Sequence, residues 1–161
     1  MTATYDCIAT TTVAGTSTSS VSFTGINGSY TDIVFVCEID GSVDDSTRIR
    51  FNSDTATNYS QTNLTGNGST AASTRSSSIA QISLGIGTAT NQTNVIGSIN
   101  NYSNSTTYKT VLLRANNPAE IVAARVGLWR STSAITSIEF FIASGNWVAG
   151  STFTLYGIKA E

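Results

Sequence analysis

The stretch Ser46-Thr47-Arg48-Ile49-Arg50-Phe51-Asn52 alternates strictly, with Thr47, Ile49 and Phe51 on one side and Arg48, Arg50 and Asn52 on the other. A period of two is the mark of a strand that buries one face. Just upstream, TDIVFVCEID sets Ile33, Phe35, Cys37 and Ile39 on one face and Val34 and Val36, between Asp32 and Glu38, on the other. Both of its faces are partly apolar, which predicts a strand that is central in its sheet or covered.

Outward from this pair the pattern repeats. TYDCIATTTV, SVSF, SSIAQISLGI, TNVIGSI, YKTVLLRA, AITSIEFFIA and TFTLYGIKA are strand-like runs, separated by turn clusters such as FTGINGSY, EIDGSVDDS and ASGNWVAGS. The count predicts an all-β fold of roughly nine or ten strands in one domain over residues 1–161, a single antiparallel β-sandwich, jelly-roll-like, ahead of a small barrel. Two segments fit less readily. Residues 58–78 are polar, almost without apolar periodicity, and are expected to form a long surface loop. In NPAEIVAARVGLWR, Asn117 could cap a helix with Pro118 at its first position. Val122, Val126 and Gly127 disfavour a helix interior, so residues 117–130 are read as strand.

Composition agrees with this class. About three residues in ten are Ser or Thr, Pro occurs once and only 11% of residues are charged. Ser and Thr suit the exposed face of a sheet, and the abundant Gly and Asn suit tight turns. A formal charge of −2, with lysine only at positions 109 and 159, lacks the basic footprint of a nucleic-acid binder. The opening MTATYDCIAT has no charged start followed by an apolar run, and no stretch approaches the length of a membrane span. Neither an export signal nor a membrane partner is expected. Cys7 and Cys37 each lie in a strand-like run, and buried free thiols are expected rather than a bridge.

The residues available for chemistry are few. Histidine is absent, which removes the commonest general base and metal ligand. Glu38, Asp40, Asp44 and Asp45 are dense enough to raise a calcium loop, but their spacing is not that of an EF-hand, and Asp40-Gly41 reads as a turn. Asp32, Glu120 and Glu139 carry no spacing that would pair them across a cleft. No catalytic residue, cofactor or metal site is expected. Among the aromatics, Phe141 and Phe153 are assigned to the core and Trp147, in its Gly-Asn loop, to a subunit contact. Arg48, Arg50, Trp129 and Trp147 are the candidate assembly contacts, the arginines being natural partners for acids on a neighbour.

Four phrases, RIRFNSDTATNYS, NYSNSTTYKTVLLRAN, VGLWRSTSAITSIEFF and SGNWVAGSTFTLYGIKAE, together resemble a family of small virion proteins of tailed bacteriophages, especially those of marine bacteria and cyanobacteria. The resemblance covers nearly the whole chain and contains no catalytic signature. It implies a non-enzymatic capsid decoration (cement) protein, made in the host cytoplasm and held on the outside of the virion head. It further implies a homotrimer whose partners are the major capsid protein and its own copies. A tail-fibre or glycan-binding module is the alternative, kept by the polar 58–78 segment and by Trp147 and Tyr102 as rings on loops.

Overall fold

A computed structural model describes residues 4–15, 18–87, 89 and 91–159 of the chain. Twelve strands and no helix lie among them. In chain order they are β1 (Tyr5–Thr12), β2 (Ser20–Thr24), β3 (Asp32–Ile39), β4 (Asp45–Phe51), β5 (Tyr59–Gly66), β6 (Ala71–Ile79), β7 (Ile82–Gly87), β8 (Thr93–Asn100), β9 (Lys109–Asn117), β10 (Ile121–Trp129), β11 (Ser137–Ile142) and β12 (Thr152–Ile158). They form two antiparallel sheets, consistent with a β-sandwich: eight strands in the order β1-β12-β3-β8-β9-β10-β5-β6, and four in the order β2-β11-β4-β7.

The connectivity has a simple logic. β1 pairs with β12, β2 with β11, β3 with β8 and β4 with β7, so the chain forms one long antiparallel ribbon whose successive rungs alternate between the sheets. Two local hairpins, β5–β6 and β9–β10, interrupt the ribbon and extend the larger sheet at one side. β3 lies between β12 and β8, as its two apolar faces require. β4 buries Thr47, Ile49 and Phe51 while Arg48 and Arg50 stay half-buried on the other side, as the alternation predicts.

The strand count exceeds the expected nine or ten because residues 58–78 are not a loop. They form the β5–β6 hairpin, turned at Asn67-Gly68, where the Asn67 carboxamide oxygen accepts the Ser69 and Thr70 N–H groups at 3.1 and 2.8 Å and Gly68 takes a φ of +84°. An Asn-Gly corner is among the strongest short-range hairpin signals. Nearly half of the residues in these strands are Ser or Thr and few are apolar, so ladder hydrogen bonds rather than apolar periodicity hold them, and periodicity fails to detect them. The second doubtful segment is a strand, β10. Asn117 does cap, but what it caps is a hairpin turn: its side-chain oxygen accepts the Ala119 N–H at 3.1 Å and its carbonyl the Glu120 N–H at 3.0 Å.

Aromatic rings join the two sheets. Phe140 of the small sheet lies 5.5 Å, centroid to centroid, from both Phe35 and Phe153 of the large one, and meets Phe23 at 6.1 Å. Close approach is bought with glycine at two inward positions. A Cβ on Gly97 would sit 2.2 Å from the Phe35 ring, and one on Gly127 would meet Ile82 at 2.5 Å. Tyr59 stacks on Trp129 at 6.2 Å and Phe51 tilts against both rings.

Trp147 overturns its expected role as a subunit contact. Its side chain is fully buried, edge-on to Phe153 at 5.2 Å. The Gly-Asn loop folds back because Trp147 bridges two segments by backbone, its N–H donating to the Thr18 carbonyl at 2.7 Å, while Ser42 and Asn146 exchange hydrogen bonds at 2.8 and 3.0 Å. The core assignment of Phe153 holds, but Phe141 faces outward and is only half-buried. Truncating Trp147 opens a cavity between the sheets. Trp147→Ala is therefore expected to cost the isolated chain about 3–5 kcal/mol in urea unfolding; a loss under about 1 kcal/mol would place the indole outside the core.

Candidate functional site

The four candidate assembly contacts do not form one surface. Trp129 ends β10 on its inward side, is buried, and donates its indole N–H to Asp54 at 2.7 Å, so like Trp147 it is a core residue and not a contact. Arg48 and Arg50 share the outward face of the small sheet. Arg50 is already engaged within the chain, 3.2 Å from the Glu139 carboxylate and 4.5 Å above the Phe141 ring. In the register, Arg48 lies beside Phe141 on one neighbouring strand and Ser83 on the other.

The acidic residues serve local structure. Asp45 accepts hydrogen bonds from the Ser144 hydroxyl and the Ser46 N–H, Asp44 from the Ala89 N–H at 2.9 Å, and Asp32 from the Asn101 N–H at 2.7 Å. Among the described residues no three Cys, Asp or Glu side chains gather where they could hold a metal ion. The thiols are both free; Cys37 is buried, which pushes its pKa well above the ordinary range, whereas Cys7 is exposed on β1 and departs from the buried state expected of it. Its strand is the edge of the large sheet, with only β12 beside it. Tyr102, one of the rings that kept the glycan reading open, is also fully buried and donates its hydroxyl to the Asn27 carbonyl.

What the register assembles instead is a band on the outward face of the large sheet. One row across β12, β3, β8, β9, β10 and β5 reads Thr154, Val36, Ile96, Arg114, Ala124, Leu64. The next row, two residues along each strand, reads Tyr156, Val34, Ser98, Leu112, Val126, Thr62. Leu64, Leu112 and Val126 keep 58%, 51% and 47% of their surface in solvent, far more than a sheet face needs to expose. The rows beyond turn polar at β3, β8 and β9, with Thr152, Glu38, Asn94 and Asn116 on one side and Asp32, Asn100 and Thr110 on the other, while Val122 and Leu128 on β10 and Ile158 on β12 carry apolar surface into them. The band is the floor of a trough of about 550 Å³. An apolar centre with a polar border is the anatomy of a contact between macromolecules.

The trough lacks convergent polar chemistry. Arg125 also borders it but turns its side chain to the inward face, so Arg114 is the one charged lining side chain on the outward side, and it makes no ion pair among the described residues. The sequence reading noted Val34 and Val36 but missed the band, because its members come from strands far apart in the chain. The run Val111-Leu112-Leu113 was a usable signal, since an apolar run in an antiparallel strand puts every second member on the face away from the core, where a partner or solvent meets it.

On the opposite, inward face of β10, Arg125 is only 9% exposed and donates to the Ser83 hydroxyl at 2.8 Å. Gln61 of β5 accepts the Ser83 N–H at 2.7 Å. These two side chains cap the open edge of the small sheet at β7. Burial lowers the Arg125 pKa from its ordinary value, its Nε has no partner, and no carboxylate pairs with it among the described residues. Buried Lys109 is held differently, its ammonium donating to the Thr107 and Thr132 carbonyls at 2.7 and 3.3 Å.

No protein-family model matches the chain, and none of the curated proteins matches it.

Two outcomes are expected from these environments. Because an uncompensated buried charge costs more than one hydrogen bond returns, Arg125→Met leaves the urea midpoint unchanged or raises it; a loss above about 2 kcal/mol would show the guanidinium to be a net stabiliser. Burial tends to raise the Asp54 pKa, but hydrogen bonds from Asn58, Trp129 and Ala56 outweigh it and the net shift is downward. A carboxylate with a depressed folded pKa contributes stability above its unfolded pKa, near 3.9, and loses it as pH falls through the folded value. Asp54→Asn is thus less stable at pH 7 and flatter in stability below about pH 4, which melting curves against pH measure.

Proposed function

We propose that this chain is a bacteriophage capsid decoration (cement) protein, which binds the outer surface of the head as a homotrimer and stabilises the major capsid lattice without catalysing a reaction. The observation that carries the reading is the apolar band with its polar border. It favours a protein whose work is permanent packing, since a face of this kind in water is a liability unless something covers it. The placement of Asp32, Asp44, Asp45 and Glu139, each tied to a backbone or side-chain donor, points the same way.

We read the sandwich as a jelly roll. The support is the pairing β1–β12, β2–β11, β3–β8 and β4–β7 in a ribbon that alternates between sheets, with β5–β6 and β9–β10 as inserted hairpins. The identity of the partner rests on the whole-chain resemblance to tailed-phage virion proteins. A tail-fibre or glycan-binding role draws less support, because it leaned on Trp147 and Tyr102 as exposed rings and both are buried.

Attachment at many equivalent lattice points would convert a weak contact into a stable one, and a ligand of the assembled shell alone shifts the balance against rupture. Heads stripped of this protein and then heated should release DNA at a lower temperature than decorated heads, followed by a dye that fluoresces on DNA. Adding the purified protein back should restore the higher temperature. Identical release from stripped and decorated heads would sink the proposal.

A further inference from the structure

We infer that the apolar band on the outward face of the large sheet is where copies of this chain pack against one another. The inference rests on the reading of the chain as a packing protein and names the partner that covers the band.

The size fits a second folded copy. Six strands about 4.8 Å apart, with two rows of side chains about 7 Å apart, give an apolar strip on the order of 400 Å². Adding the polar row on each side brings the face to roughly 800 Å², the share one partner contributes to an interface of standard size. A small ligand would need a few convergent polar groups to fix its orientation, and the trough offers Arg114, Ser98 and Thr62 on three separate strands of an otherwise largely apolar floor.

Charge narrows the partner further. The face carries two cations, Arg114 inside the band and Arg75 beside Thr62 at its end, and two acids in the bordering rows, Asp32 and Glu38, both on β3. A strongly acidic or basic partner would find no matching field on such a face. Another copy of the same chain brings both signs and the same Asn and Thr border, which donates and accepts equally. A formal charge of −2 on each chain offers little repulsion against such association. Closed symmetry then buries the same face on every copy.

The test uses the purified full chain in the absence of any phage head, so its outcome is independent of the head-rupture assay. Sedimentation equilibrium at tens of micromolar should give an oligomer for the native chain. Leu112→Glu and Val126→Glu each place a charge in the centre of the band at exposed positions, and should weaken association about a hundredfold with melting temperature, followed at monomeric dilution, unchanged. Ser22→Glu, on the exposed outward side of β2, should associate like the native chain. A native chain that sediments as a monomer, or band variants that associate as tightly as the native chain, would overturn the inference.

Discussion

A sheet of eight strands is faced by a sheet of four. The smaller sheet reaches from β12 and β3 as far as β10 and β5, leaving the far part of the β5–β6 hairpin as an overhang, and the rest of the molecule answers to that mismatch. Beneath the four covering strands the inward positions are large and apolar, with Phe35, Phe153 and Phe140 interlocked and glycine at 97 and 127 admitting the rings and methyls opposite. Towards the overhang the inward positions change character, with Gln61, Asn63 and Thr65 on β5 in place of the aliphatic residues of β8 and β9. The smaller sheet meets the same mismatch at β7, whose free edge has no fifth strand to pair with. Side chains from β5 and β10 take that place, Gln61 accepting the backbone N–H of Ser83 and Arg125 donating to its hydroxyl.

The outward face inverts the usual arrangement of an antiparallel sheet. In most such sheets the face away from the core is polar. Here the small sheet follows that rule, with Ser22, Arg48, Arg50 and Glu139 outward, while the large sheet does not. The difference between the two outer surfaces gives the sandwich a polarity across its thickness: one side suited to water and one suited to contact.

Much of this was legible in the sequence where one strand's side chains decide its environment. β4 and β3 were read correctly, face by face, because alternation and hydropathy are local properties. The segment 58–78 was misread because its strands are held by backbone pairing with little apolar content, and because Leu64 is a lone apolar residue until the register sets it beside Ala124. Trp147 was misplaced for a related reason. A tryptophan flanked by Gly and Asn looks like a loop tip, and only the backbone bridges to Thr18 and Gly41 turn it inward. The band was invisible for the most general reason, that it runs perpendicular to the chain. No sequence window contains it, and it exists only once six strands are in register.

The ribbon has a kinetic consequence. Its outermost rung joins Thr12 to Thr152, so β1 has no partner until nearly all of the chain between has been arranged. The hairpins β5–β6 and β9–β10 close over a few residues and can form in microseconds, whereas the rungs β2–β11 and β1–β12 must wait for the long closures to be completed. Contacts so dominated by distant pairs place this fold among slow folders. The outward band spans β12 and β3 as well as the local hairpins, so it is complete only when the long closures are, and a partly folded chain carries it in pieces.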